Sequence, residues 1–158
     1  MKKVYVETSI ISYCSARPSS HILAAARQQI SWDWWSTQRA RFTLYTSALV
    51  EREVLQGDPD AAAARLEMLK GIPMLAITQR VRDFAKKLIV EKILPAKAGD
   101  DAVHIAIAAC HGMDYLMTWN CRHIHNAQAQ PAIRVACANA GLKSPEICTP
   151  EELMGSKT

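Results

Sequence analysis

The sequence predicts an α/β domain built on a mostly parallel sheet of four to five strands. Two observations carry that expectation. Short β-branched and aromatic runs alternate with helix-length amphipathic segments from one end of the chain to the other, the pattern of strand–helix–strand crossovers. A length of 158 residues, 49% apolar and 22% charged, suits one globular domain and excludes disorder. No repeat, low-complexity tract or linker interrupts it, so residues 1–158 read as a single domain.

Taken in order, Val4 to Val6 is a β-branched and aromatic run closed by Glu7-Thr8-Ser9, which reads as a buried central strand. Ile10 to Ser15 forms a helical turn stopped by Arg17-Pro18. Ser20 then serves as N-cap for a helix from His21 to Gln38, with Ile22, Ala26, Ile30, Trp34 and Trp35 as its buried stripe. Phe42 to Thr46 is a second strand, and Ser47 caps the helix after it. Gly57-Asp58-Pro59 breaks that helix, Asp60 to Lys70 starts another, and Gly71 ends it. Ile72 to Ile77 is a third strand and Thr78 to Ile93 a long amphipathic helix. Pro95 to Gly99 is a loop, and Asp100 and Asp101 open an apolar helix from Ala102 to His111. Tyr115 to Thr118 is the fourth strand, followed by a turn and short helix over Asn120 to Asn126. Pro131 breaks the next segment, Ile133 to Ala140 is helical, and Pro145 to Pro150 is a last strand before a helical turn.

Nineteen Lys and Arg against 15 Asp and Glu leave +4, a mild basic excess that permits a polyanionic partner. The five cysteines are odd in number and contain no CxxC pair, which fits reduced core thiols of a cytoplasmic protein. Lys2 and Lys3 resemble the start of a signal peptide, but Glu7 interrupts the apolar stretch behind them. No window approaches the roughly 20 apolar residues of a membrane span.

The chemistry lies in where acids fall relative to strand ends. Glu7 follows the first strand, Glu51 and Glu53 lie in the helix after the second, and Asp100 and Asp101 open the helix before the fourth. Open parallel sheets bind ligands outside the carboxyl ends of their strands. Carboxylates gathered there repel unless a cation compensates, and oxygen ligands point to Mg²⁺ or Mn²⁺. Each acid also has a plain structural use. Asp100 and Asp101 suit a helix N-terminus and Glu51 a solvated helix face, whereas Glu7, abutting a buried strand, needs a partner.

Four stretches sharpen this: Val4-Tyr5-Val6-Glu7-Thr8-Ser9-Ile10-Ile11-Ser12, Thr46-Ser47-Ala48-Leu49-Val50-Glu51-Arg52-Glu53-Val54, Gly99-Asp100-Asp101-Ala102-Val103-His104-Ile105-Ala106, and Asp114-Tyr115-Leu116-Met117-Thr118-Trp119-Asn120-Cys121-Arg122-His123-Ile124. In this order they resemble the PIN-domain family, specifically VapC-type toxins. The resemblance implies an α/β/α sandwich and a Mg²⁺- or Mn²⁺-dependent ribonuclease acting on RNA. It further implies a cognate antitoxin over the site and a homodimer. By motif position Glu7, Glu53 and Asp101 match the first three acids and Asn120 the fourth, with Asp100 a further metal candidate. Thr8, Ser9 and Thr118 match hydroxyls that support the carboxylates. Two positions depart from the family pattern. Glu7 stands where Asp is usual, and the fourth position is the amide Asn120, with His123 where a further Asp often stands.

His104 reads either as a substrate-contacting neighbour of the acidic pocket or as a histidine satisfied within its helix. None of the five histidines has a recognised zinc spacing. Trp119 is the candidate for stacking on a base, while Trp32, Trp34 and Trp35 read as packing of their helix. A second function stays open beside the ribonuclease: a PIN-like interaction module of weak or lost catalysis, acting through a partner or dimer surface.

Overall fold

The computed structural model describes residues 1–155; the last three residues of the expected domain lie outside the described residues. Five strands, β1 (Lys3–Val6), β2 (Thr43–Ser47), β3 (Met74–Leu75), β4 (Tyr115–Met117) and β5 (Glu146–Cys148), form one sheet in the order β3-β2-β1-β4-β5. Every pairing is parallel, with Tyr5 beside both Tyr45 and Leu116. The helices are α1 (Thr8–Ser15), α2 (Ile22–Thr37), α3 (Ala48–Val54), α4 (Pro59–Met68), α5 (Gln79–Val90), α6 (Gly99–Cys110) and α7 (Gln130–Asn139). α1 packs on α2, α3 and α4, and α5 runs along α6, so the sheet is the middle layer of an α/β/α sandwich.

The central strand explains its own sequence. Val4, Tyr5 and Val6 are fully buried, as a strand covered on both faces by helices must be. From β1 the chain moves outward to β2 and β3, then returns across the centre to β4 and β5. The strand order therefore reverses between β1 and β4, and the carboxyl ends of these two strands frame a crevice.

Several expectations are corrected. α2 starts at Ile22 with His21 as a cap that makes no side-chain bond; Ser19, not Ser20, supplies a hydroxyl that accepts the His21 amide. Its expected stripe is buried only at Trp34 and Trp35, while Ile22 is 90% exposed and Ala26 also faces solvent. Periodicity records which side chains share a face, not whether a neighbour covers them. The third strand contracts to two residues at the sheet edge. Pro131 does not break a helix but sits in the first turn of α7, where its missing N–H costs no hydrogen bond. The segment from Asn120 to Asn126 is a series of turns and contains no helix. Cys121 is exposed rather than a core thiol, although Cys137 and Cys148 are buried.

Candidate functional site

The crevice at the β1–β4 reversal brings together the buried polar residues Glu7, His104 and Thr118. At the end of β1, Glu7 is 6% exposed and acts as N-cap of α1, its Oε2 accepting the Ser9 amide at 3.0 Å. Its Oε1 accepts the hydroxyls of Ser9 at 2.6 Å and Thr118 at 2.5 Å. Those hydroxyls in turn accept amides of the turn after β4: Trp119 N–H reaches Ser9 Oγ at 2.8 Å and Asn120 N–H reaches Thr118 Oγ1 at 2.9 Å. The extra methylene that distinguishes Glu from Asp is thus absorbed by a carboxylate folded back onto its own helix. It ties β1, α1 and the β4 turn together.

Ser47 ends β2 and caps α3 through the Val50 amide, and α3 then carries Glu53 toward the same crevice. Glu53 Oε1 takes two hydrogen bonds, from Thr8 Oγ1 at 2.7 Å and from His104 Nε2 at 2.6 Å. Glu53 Oε2 has no hydrogen-bond partner among the described residues. His104 is buried in α6, and its Nδ1 meets the Tyr5 hydroxyl at 2.7 Å; that hydroxyl also meets Ser47 Oγ at 2.8 Å. Glu7, Glu53 and His104 each place a ligand atom within 4.8 Å of the others.

Asp101 stands beside this trio in a second group. Its Oδ1 accepts Asn120 Nδ2 at 3.0 Å and its Oδ2 meets His123 Nδ1 at 2.9 Å. Asn120 Oδ1 accepts the His123 amide, so the asparagine holds both the turn and the carboxylate.

The charges in the two groups bias one another. Burial pushes Glu53 upward, but the bond and charge of His104, the Thr8 hydroxyl and the Arg52 charge outweigh it and keep the carboxyl below its usual value. Burial would lower His104, yet the Glu53 bond and the charges of Glu7, Glu53 and Asp101 hold the ring above its usual value. Asp101 is raised by burial, against the bond and charge of His123.

Of the residues singled out from the sequence, Glu7, Glu53 and His104 meet in one cluster, with Thr8, Ser9 and Thr118 bonded to its carboxylates. Asp101 and Asn120 form the neighbouring group. Asp100 lies outside both, solvent-exposed and paired with Arg52 at 3.3 Å. Trp119 is not available for base stacking: it is 8% exposed, its ring N–H bonds Ser31 Oγ at 2.7 Å, and the Arg27 guanidinium lies over its ring. Among the three clustered tryptophans, Trp34 and Trp35 are buried but Trp32 is half-exposed.

Tyr5 and His123 escaped the sequence reading as site residues. Tyr5 carried a signal, because a phenol in a strand buried on both faces needs a buried partner for its hydroxyl. His123 carried only its motif position, where a further Asp often stands, and nothing local shows that a histidine in a turn reaches a carboxylate on a helix.

No protein-family model matches the sequence, and no curated protein matches it. Two solved structures share its shape. VapC20 of Mycobacterium tuberculosis, described as a sarcin-ricin loop cleaving toxin, superposes with a TM-score of 0.59 at 15% identity, covering 89% of this chain and 96% of its own. A chain of VapBC2 from Rickettsia felis, solved bound to a DNA fragment from their promoter, gives 0.57 at 11% identity, covering 93% and 98%. The likeness spans nearly the whole of each chain, and this protein accordingly has the fold of VapC-type PIN-domain toxins.

Proposed function

We propose that this chain is a divalent-metal-dependent endoribonuclease, the toxin of a toxin–antitoxin pair. The observation that carries the reading is the meeting of Glu7 and Glu53 beside Asp101, drawn from distant parts of the chain to the strand-order reversal. The fold likeness to a toxin described as cleaving the sarcin-ricin loop supports the same reading.

The donor set fits a hard divalent cation. Two carboxylates lie in one cluster with a third alongside, and their neighbours are hydroxyls, amides and two imidazoles rather than thiols. Glu53, Glu7 and Asp101 would hold Mg²⁺ or Mn²⁺, and such an ion supplies Lewis-acid polarisation of a phosphate oxygen together with an activated water. The chain's own residues do the placing. Ser9 and Thr118 fix Glu7, Thr8 and His104 fix Glu53, and Asn120 and His123 fix Asp101. Fixing these carboxylates before substrate arrives removes reorganisation from the reaction step. An antitoxin would silence the enzyme by covering this crevice.

The test is cleavage of single-stranded RNA by purified protein with Mn²⁺, with Mg²⁺ and with EDTA, beside Asp101→Asn. Cation-dependent cleavage that falls at least about 100-fold in the variant is expected, the scale of losing a preorganised charged group. A cleavage rate unchanged by EDTA or by the substitution overturns the assignment. Absence of both cleavage and Mn²⁺ binding would favour the interaction module.

A further inference from the structure

Building on the metal-dependent reading above, we propose that Tyr5 is a positioning residue for the site. Acting through His104, it binds Glu53 Oε1 inward and leaves Glu53 Oε2 as the oxygen that meets a cation.

The polarity of the hydrogen bonds leads to this. Glu53 Oε1 faces two groups, Thr8 Oγ1 at 2.7 Å and His104 Nε2 at 2.6 Å. An ionised carboxylate oxygen can only accept, so both neighbours must donate and His104 Nε2 must carry a proton. That proton occupies the lone pair a metal would use. His104 therefore serves as a donor and not as a ligand, although its ring nitrogen lies within 4.8 Å of both carboxylates.

The opposite ring nitrogen decides whether this state is held. Among the described residues, Nδ1 meets only the Tyr5 hydroxyl, at 2.7 Å. If the ring is neutral, the phenol donates to Nδ1. If the ring is charged, Nδ1–H donates to the phenol oxygen, and the phenol proton turns to Ser47 Oγ at 2.8 Å. Ser47 accepts the Val50 amide in either case. The hydroxyl chain thus adjusts to both charge states of the ring while Nε2–H stays on Glu53. Tyr5 itself cannot shift, being fully buried in β1 between Tyr45 and Leu116 of the adjoining strands. Without the phenol hydroxyl, Nδ1 loses its partner, the other tautomer becomes accessible, and Oε1 is released toward the crevice. Partners that orient metal ligands in this way typically matter 10–100-fold in metal affinity.

Two measurements decide the matter. Long-range ¹H–¹⁵N spectra of histidine-labelled protein without metal should show His104 Nε2 protonated in the wild type and a changed nitrogen pattern in Tyr5→Phe. Mn²⁺ titration followed by the EPR signal of the free ion should show Tyr5→Phe binding about tenfold more weakly. Asp114→Asn, which weakens the chain at the opposite end of β1, serves as the stability control and should bind like the wild type. A wild-type Nε2 without a proton overturns the proposal even if Tyr5→Phe fails to fold. Equal Mn²⁺ affinity of Tyr5→Phe and wild type overturns the role of Tyr5 and leaves the metal-dependent reading intact. A wild type that binds no Mn²⁺ overturns that reading and, with it, the part given to Oε2.

Discussion

At Asp114 a single carboxylate holds the start of the central strand. Its Oδ2 accepts the Lys3 amide at 2.8 Å and its Oδ1 the Lys143 ammonium at 2.6 Å, which together hold its carboxyl at about 2, below its ordinary 3.8. A depressed carboxyl contributes stability above its unfolded value and loses it as pH falls through the folded value. Melting temperatures measured from pH 6 downward should therefore drop between pH 3.8 and about 2 in the wild type. Asp114→Asn should start lower and show a shallower fall over that window. Residues of this kind were partly legible in advance. Glu7 stood out because a charge abutting a buried strand needs partners, and Glu53 was separable from Glu51 by its motif position. What the sequence could not show is which oxygen of each acid is already bound. That depends on Thr8 and Ser9 of α1, Thr118 after β4 and His104 of α6 converging from three parts of the chain, and no local pattern encodes it.

Caps and turns decided which elements could be read from sequence. Ser47 and Gly71 were legible because each acts within its own turn: Ser47 accepts the amide three residues on, and Gly71 takes a positive φ of 78°, whereas Thr78, read as the first residue of its helix, is in fact its cap. The start of α2 was misread because polar residues crowd it and nothing local chooses among them. As His21 makes no side-chain cap, the opening turn of α2 leaves amide donors to solvent, and Ile22 and Leu23 stand exposed beside them. His21→Asp would add both an acceptor and a favourable charge at that terminus. The expected outcome is a gain of about 0.5–1 kcal/mol in denaturant unfolding, with slower amide exchange over the first turn of α2. Loss of stability in that variant would mean that the turn is held by contacts other than its backbone.

Across the whole molecule, the mild net charge conceals an uneven distribution. Setting Glu7, Glu53 and Asp101 aside leaves 12 acids against 19 bases on the rest of the chain. If RNA is the substrate, its backbone meets that basic remainder. Binding of RNA to Asp101→Asn should then weaken with salt along a straight log–log line, with a slope of about −0.7 per phosphate neutralised. A salt-independent affinity would point to recognition by another chemistry. The α/β class was readable because alternation of strand and helix is a pattern of the whole chain, while strand order and the placing of the crevice are products of long-range pairing. The bond from Thr118 to Glu7 closes a sequence separation of 111 residues. A chain emerging from the ribosome therefore carries its first acid long before it carries the residue that fixes it. The cluster around Glu7 cannot assemble until residue 118 has been made, and any fragment that ends before it lacks the bond that fixes the first acid.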